Sequence, residues 1–121
     1  MPDSSGLTLL IVDDNEPVLF TKEQFYLHHG FEVKKATTAF AALELFRHDH
    51  VDLVLSDYYL PDFTGDELCR MMKRLKPAIP MVIVSGTIPE HISDCADYFT
   101  IKGGDPLQVL RVIEDLLRKS A

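Results

Sequence analysis

Acidic, hydroxyl and ammonium side chains stand at the ends of the short apolar runs in this sequence. Asp13 and Asp14 come directly after the first run, and Asp57 comes directly after the third. Ser85 ends the fourth run, and Lys102 stands at the end of the fifth. If the runs are parallel strands in the order 2-1-3-4-5, the first and third are neighbours about 4.8 Å apart, and their carboxyl ends meet at one sheet edge. Three carboxylates would then converge at that edge.

The residue types at this edge indicate the chemistry that it could perform. Three neighbouring carboxylates repel one another, so the cluster requires a counter-charge. Ligands that offer only oxygen favour a hard cation such as Mg²⁺ or Mn²⁺, and Mg²⁺ together with Lys102 would balance the three acids. A carboxylate beside a metal ion and an ammonium group can attack a phosphoryl phosphorus, while a hydroxyl such as that of Ser85 donates a hydrogen bond. The edge is therefore suited to phosphoryl transfer.

The elements that must position these residues follow from the hydrophobic pattern. Apolar, β-branched runs at residues 7–12, 31–36, 51–56, 81–85 and 98–101 are predicted to be strands. Segments of helical period lie at about 17–29, 38–48, 64–75 and 106–119. Because apolar residues follow one another within the runs, the strands are expected to be parallel and covered by helices on both faces. The pattern predicts a three-layer α/β sandwich.

One connection in this pattern is short. Twelve residues separate Ser85 from Tyr98, whereas a crossover between parallel strands usually takes about a dozen residues including its helix. Ile88, Ile92 and Cys95 offer only a brief stretch of helical spacing. We therefore expect the fourth helix to be short or irregular.

The composition is typical of one ordinary globular domain, predicted to span residues 1–121 with a core at about 7–119. Nineteen acidic against twelve basic side chains give a formal charge of -7, which argues against a nucleic-acid or phospholipid surface. No apolar run approaches the roughly 18 to 20 residues of a membrane span, and residues 1–6 lack the features of a secretory signal. We expect a cytoplasmic protein in which Cys69 and Cys95 are reduced, partly buried thiols.

At the same positions the sequence resembles the receiver domains of response regulators, the CheY-like family of two-component signalling. The resemblance spans nearly the whole chain. It rests on IVDDN at 11–15, DYYLPDFTG at 57–65, VSG at 84–86, and Lys102. Together these form a highly specific set, although any one alone would be weak. The resemblance implies a flavodoxin-like (CheY-like) fold with a five-stranded parallel sheet in the order 2-1-3-4-5.

The resemblance also implies a phosphoacceptor and a metal site. Asp57 would receive a phosphoryl group from the phosphohistidine of a histidine kinase or a phosphotransfer protein. Asp14 and Asp57 would ligate Mg²⁺ directly, Tyr59 would do so through its backbone carbonyl, and Asp13 would act through a water molecule. The domain would catalyse only its own phosphorylation and dephosphorylation, as a signalling module.

The switch residues that the resemblance implies are Lys102, Ser85 and Phe99. Lys102 would contact the phosphoryl oxygens, and Ser85 would follow the phosphoryl group when it binds. Phe99 stands where the family places an aromatic side chain that turns inward on activation. A downstream protein or an output domain would then bind differently.

The sequence departs from the family mainly between Ser85 and Lys102. This stretch is roughly five residues, about a turn and a half of helix, shorter than in most receivers. Gly103 also replaces the proline that usually follows the lysine. These departures keep open a second hypothesis, a degenerate receiver that acts as a constitutive interaction module. A third hypothesis, an aspartyl phosphatase of the haloacid-dehalogenase type, requires a DxD motif after the first strand, and DDNE at 13–16 does not supply one.

Overall fold

The computed structural model describes residues 6–91 and 94–120, which contain five strands and four helices. The strands are β1 (Thr8–Val12), β2 (Glu32–Ala36), β3 (Leu53–Asp57), β4 (Met81–Ser85) and β5 (Tyr98–Ile101). The helices are α1 (Glu16–His28), α2 (Ala39–His48), α3 (Gly65–Leu75) and α4 (Pro106–Ser120). Each element lies where the hydrophobic pattern predicts one. None of the described helices is long and apolar enough to cross a membrane.

The five strands form one parallel sheet in the order β2-β1-β3-β4-β5. The predicted strand order and three-layer architecture are therefore confirmed. In the pairing of β1 with β3, Val12 lies opposite Ser56. Because the register is parallel, Asp13 and Asp57 follow these partners side by side at the carboxyl edge of the sheet.

Each face of the sheet has its own apolar core, which explains the uninterrupted apolar runs. Leu10 and Val12 of β1 point towards one face, where they pack with residues of α2 and α3. Leu9 and Ile11 point towards the other, where they pack with residues of α1 and α4. Every residue of β1, β3 and β4 is buried, so the centre of the sheet is a rigid support for the side chains that follow its strands.

Side-chain caps start the helices that follow the two acidic strand ends. The Asn15 side chain accepts a hydrogen bond from the Val18 amide at 3.1 Å and begins α1. Thr64 and Glu67 form a reciprocal capping box that begins α3, with 3.1 Å from the Glu67 amide to the Thr64 hydroxyl and 2.9 Å in return. These caps fix where the chain turns after β1 and before α3.

The β4–β5 connection, residues 86–97, differs from the other crossovers. Its described residues, 86–91 and 94–97, contain no helix. This agrees with the prediction of a short or irregular fourth helix, although Ile92, one of the apolar positions considered for it, lies outside the described residues. The last helix of the chain, α4, therefore corresponds to the fifth helical position of the sequence pattern.

Candidate functional site

The carboxyl edge brings together the three acids predicted to converge there. One carboxylate oxygen from each of Asp13, Asp14 and Asp57 lies within 4.8 Å of the others. Asp13 and Asp57 are buried, whereas Asp14 is exposed. Two buried acids that face each other are unfavourable unless cations or amide groups compensate them.

Asp13 is held in its ionised form. Its Oδ1 accepts a hydrogen bond from the Asn15 amide at 3.0 Å, and its Oδ2 accepts one from the Lys22 ammonium at 3.1 Å. Burial acts against ionisation, but the amide, the neighbouring Asp57 and Lys22 outweigh it and hold the pKa of Asp13 below its usual value. Asp13 is thus the permanent negative charge of the site.

The pKa of Asp57 is shifted in the opposite direction to that of Asp13. Burial and the adjacent Asp13 carboxylate raise its pKa to about 6, although the two nearby lysines act to lower it. Its Oδ2 accepts a hydrogen bond from the Lys102 ammonium at 3.0 Å. Its Oδ1 is buried and accepts no hydrogen bond from the described residues, and the Lys22 ammonium lies 3.7 Å away. Such a buried oxygen without a donor marks a place where the site can accept another partner.

Lys102 lies directly beyond β5 and reaches over the edge of the sheet. Its amide donates to the Ser85 carbonyl at 2.8 Å, which ties the end of β5 to that of β4. Partial burial lowers the pKa of the ammonium group, but Asp57 and Asp13 outweigh this effect and raise it. Lys102 therefore stays protonated beside Asp57, as the sequence arrangement requires.

Lys22 of α1 is a site residue that sequence reasoning missed. Its ammonium contacts both Asp13 and Asp57, so it lies between the two buried carboxylates. A signal for it exists in the sequence, because Lys22 falls at helical spacing between the buried residues Leu19 and Tyr26 of the same helix. With two lysines against three acids, the site carries one formal negative charge, and a divalent cation would make it positive rather than neutral.

The other predicted site residues lie on the neighbouring strands and on the loop that follows Asp57. Ser85 is buried at the end of β4, and its hydroxyl accepts a hydrogen bond from the Thr87 amide at 3.3 Å. Tyr59 has an exposed side chain and pairs through its backbone with Thr64. Phe99 is half-buried on β5, and its ring lies edge-on to that of Tyr58, with 6.4 Å between centroids.

The loop after β3 is tied down at two points. Asp62 accepts hydrogen bonds from the amides of Ala39 and Phe40, both at 2.9 Å, and so caps the neighbouring helix α2. Gly65 begins α3 against the backbone of β3, where an added Cβ would lie 2.4 Å from the Asp57 carbonyl oxygen. Only glycine allows this approach, which fixes the backbone on both sides of the loop.

Comparison with known proteins agrees with this geometry. A sequence profile of the family described as "Response regulator receiver domain" matches residues 9–101. The chain belongs to this family, and it is a receiver domain of two-component signalling.

Individual relatives are distant in sequence but close in fold. The chain is 27% identical over 116 residues to the response regulator SaeR of Staphylococcus aureus, covering 92% of this chain and 50% of SaeR. It thus spans about half the length of that curated relative. A CheY-like receiver domain from Methanospirillum hungatei JF-1 superposes with a TM-score of 0.89 at 29% identity, covering 94% of this chain and 95% of that one. The response regulator TrrA of Thermotoga maritima, solved in complex with Mg²⁺-BeF, gives a TM-score of 0.84 at 21% identity, covering 91% and 98%.

Proposed function

We propose that Asp57 accepts a phosphoryl group from a phosphohistidine, in a reaction that depends on Mg²⁺, and that this changes the binding of a partner. The donor would be a histidine kinase or a phosphotransfer protein, and the partner a downstream protein or an output domain. The observation that carries the proposal is the position of Asp57, a buried carboxylate with one unsatisfied oxygen between two lysines and two further acids.

The donor set fits a hard divalent cation. The cluster offers carboxylate oxygens only. The buried Oδ1 of Asp57 accepts no hydrogen bond from the described residues, so its lone pairs can coordinate a cation. Asp14 and Asp57 would hold Mg²⁺ directly, Tyr59 through its carbonyl, and Asp13 through water, and Mn²⁺ suits the same donors. The bound ion would neutralise charge on the phosphoryl oxygens.

The chain's own residues account for the remaining chemistry. With a pKa of about 6, Asp57 is mostly ionised at neutral pH and supplies the attacking oxygen. The new bond joins this oxygen to phosphorus, the bond from phosphorus to the donor imidazole breaks, and the imidazole keeps the electron pair. Lys102, 3.0 Å from Asp57, would then bind the phosphoryl oxygens, with the Ser85 hydroxyl as a further donor.

The switch would pass from the site towards β5. Ser85 and Ile101 are paired in the sheet, so a movement at the end of β4 would be passed to β5, the strand that carries Phe99. Phe99 packs in the same apolar cluster as Tyr58, beside the loop that follows Asp57. In this proposal the domain is a phosphorylation-switched module of the cytoplasm that modifies only itself, and residues 1–121 form one receiver unit.

A second candidate is a receiver that binds its partner whether or not it is phosphorylated. The described part of the β4–β5 connection contains no helix, which favours this candidate because the surface that would respond to phosphorylation is reduced. Phosphorylation that leaves the affinity for a partner unchanged would distinguish it from the first proposal.

The direct test is incubation with Mg²⁺ and a small acyl phosphate, followed by intact-mass measurement. Wild-type protein should gain about 80 Da, the mass of one phosphoryl group, and chelation of Mg²⁺ should prevent the gain. Asp57→Asn should show no gain, whereas Asp62→Asn, a matched change in the same loop, should be phosphorylated. Absence of the adduct in wild type, or its persistence in Asp57→Asn, would refute the proposal.

A further inference from the structure

Two cysteines that are distant in the sequence meet on the face of the sheet covered by α2 and α3. Cys69 lies on α3 and is fully buried, whereas Cys95 lies in the β4–β5 connection and is half-buried. Their sulfur atoms are 2.7 Å apart. A disulfide would require the atoms to approach by only roughly 0.7 Å more, to about 2.05 Å.

A second attachment, independent of the cysteine contact, joins the same two segments. Lys73 lies one helical turn beyond Cys69, and its ammonium binds the Asp97 carboxylate at 2.8 Å, two residues beyond Cys95. Asp97 is itself fixed to the start of β4, since its carboxylate accepts from the Met81 amide at 2.8 Å and its amide donates to the Met81 carbonyl at 2.9 Å. These contacts therefore hold the segments that carry the two sulfur atoms beside each other.

We propose that Cys69 and Cys95 form a redox-responsive pair, which low-molecular-weight disulfides such as oxidised glutathione convert into an intramolecular disulfide. This link would fasten the β4–β5 connection to α3. The described part of the connection contains no helix and is held by individual contacts such as those of Asp97, so a covalent link would restrain it most.

The reaction proceeds by two thiol–disulfide exchanges. The Cys95 thiolate attacks one sulfur of the added disulfide, which forms a mixed disulfide and releases one low-molecular-weight thiolate. Cys69 then loses its proton and attacks the Cys95 sulfur, which expels the second thiolate. The two protein thiols lose two electrons and two protons in total, and the added disulfide becomes two thiols.

The order of these steps follows from accessibility. An external disulfide can reach the half-buried Cys95, whereas Cys69 has no exposed surface. Burial raises the pKa of the Cys69 thiol, and the neighbouring Cys95 raises it further, so Cys69 is a poor first nucleophile. It needs only to attack a sulfur that is already in contact with it.

The test uses the reduced chain at low concentration, oxidised glutathione, and alkylation of remaining thiols after unfolding. The product should be about 2 Da lighter than reduced protein, carry no alkyl group, and yield a peptide that joins residues 69 and 95. It should unfold at a Tm about 10 °C higher, and added reductant should reverse the change. Two alkylated cysteines, a stable glutathione adduct, a disulfide-linked dimer alone, or an unchanged Tm would overturn the proposal.

A pair of variants tests the order of attack. Cys69→Ala should trap glutathione on Cys95, a gain of about 305 Da, because no second thiol can resolve the mixed disulfide. Cys95→Ser should remain unmodified under the same conditions, since its only thiol is buried. Equal glutathione uptake by the two variants would contradict the assigned order. Disulfide formation itself is tested on the wild-type protein, so that test does not depend on the stability of either variant.

Discussion

The carboxyl edge of β1 and β3 and the β4–β5 connection are built in contrasting ways. All residues of β1 and β3 are buried, and the acidic side chains at their carboxyl ends are held by a backbone amide and by two lysines. The residues of β5 are half-buried or exposed, and the described part of the preceding connection has no helix. The chemistry is thus placed on the rigid centre of the sheet.

The difference indicates where the sequence can vary without loss of chemistry. Shortening the β4–β5 connection leaves Ser85 and Lys102 in place, because the pairing of β4 with β5 and the bond from the Lys102 amide to the Ser85 carbonyl still align them. The connection itself keeps its position through the contacts of Asp97 and of Cys95. Reactivity and response to phosphorylation can therefore be altered separately.

The largest expected effect is a difference in unfolding free energy between two glycine-to-alanine variants, one in each region. Gly65→Ala places a methyl group against the backbone of β3 and should lower the unfolding free energy by about 3 kcal/mol. Gly86→Ala, in the connection, meets nothing within 4 Å and should change it by less than about 0.5 kcal/mol. Chemical denaturation measures both, and equal effects would contradict the contrast in rigidity.

Lys102→Ala tests whether the edge acts as one electrostatic unit. Removal of the ammonium 3.0 Å from Asp57 should slow phosphorylation by an acyl phosphate about 100-fold, since a donor to the phosphoryl oxygens is lost. Lys34→Ala, on the edge strand β2, removes an ion pair with Asp49 and should keep the wild-type rate. A wild-type rate in Lys102→Ala would exclude Lys102 from the reaction.

The pH dependence of stability should reveal the raised pKa of Asp57. In the folded state the Asp57 carboxyl group keeps its proton up to about pH 6, and in the unfolded state only up to about pH 4. The unfolding free energy should therefore fall as pH rises between these values. Asp57→Asn should abolish this slope and be more stable than wild type at pH 7 by about 2 to 3 kcal/mol. A less stable Asp57→Asn at pH 7 would contradict the raised pKa.

Asp62→Asn provides a control of opposite sign. Burial acts against its ionisation, but the amides of Ala39 and Phe40 outweigh it and lower the pKa of Asp62. Its stabilising effect is therefore present above the unfolded pKa and lost only as pH falls through the lower, folded value. This variant should be less stable than wild type at neutral pH and should keep the slope that Asp57 causes.

The smallest effect should be that of Lys22 on metal affinity. Its ammonium lies between Asp13 and Asp57 and repels any cation bound there, so Lys22→Ala should bind Mg²⁺ about tenfold more tightly in calorimetric titration. Lys35→Ala removes a lysine that pairs with Glu23 and should leave the affinity unchanged. Weaker binding by Lys22→Ala would show that the lysine supports the metal site instead of competing with it.

Much of the fold could be predicted because its determinants are local. The uninterrupted apolar runs indicate parallel strands, and parallel strands place Asp13, Asp57 and Lys102 at one edge whatever the details of the helices. Lys22 was missed because its role depends on how α1 is rotated against the sheet. Its helical spacing from the buried residues Leu19 and Tyr26 is the feature of the sequence that indicates it.

The cysteine contact could not be predicted from spacing. Cys69 and Cys95 are 26 residues apart, and the connection that carries Cys95 has too little periodicity to define its path. In the structure both cysteines are free; Cys95 is half-buried, as expected, whereas Cys69 is fully buried. Only the three-dimensional path of the connection brings the two sulfurs together.

Of the three clustered carboxylates, we propose Asp57 alone as the phosphoacceptor. Borohydride reduction of the phosphorylated protein converts an aspartyl phosphate into homoserine, and peptide sequencing in a mass spectrometer then locates the modified residue. We expect homoserine at position 57 alone, and only after incubation with both Mg²⁺ and the acyl phosphate. Homoserine at position 13 or 14, or none at position 57, would contradict it.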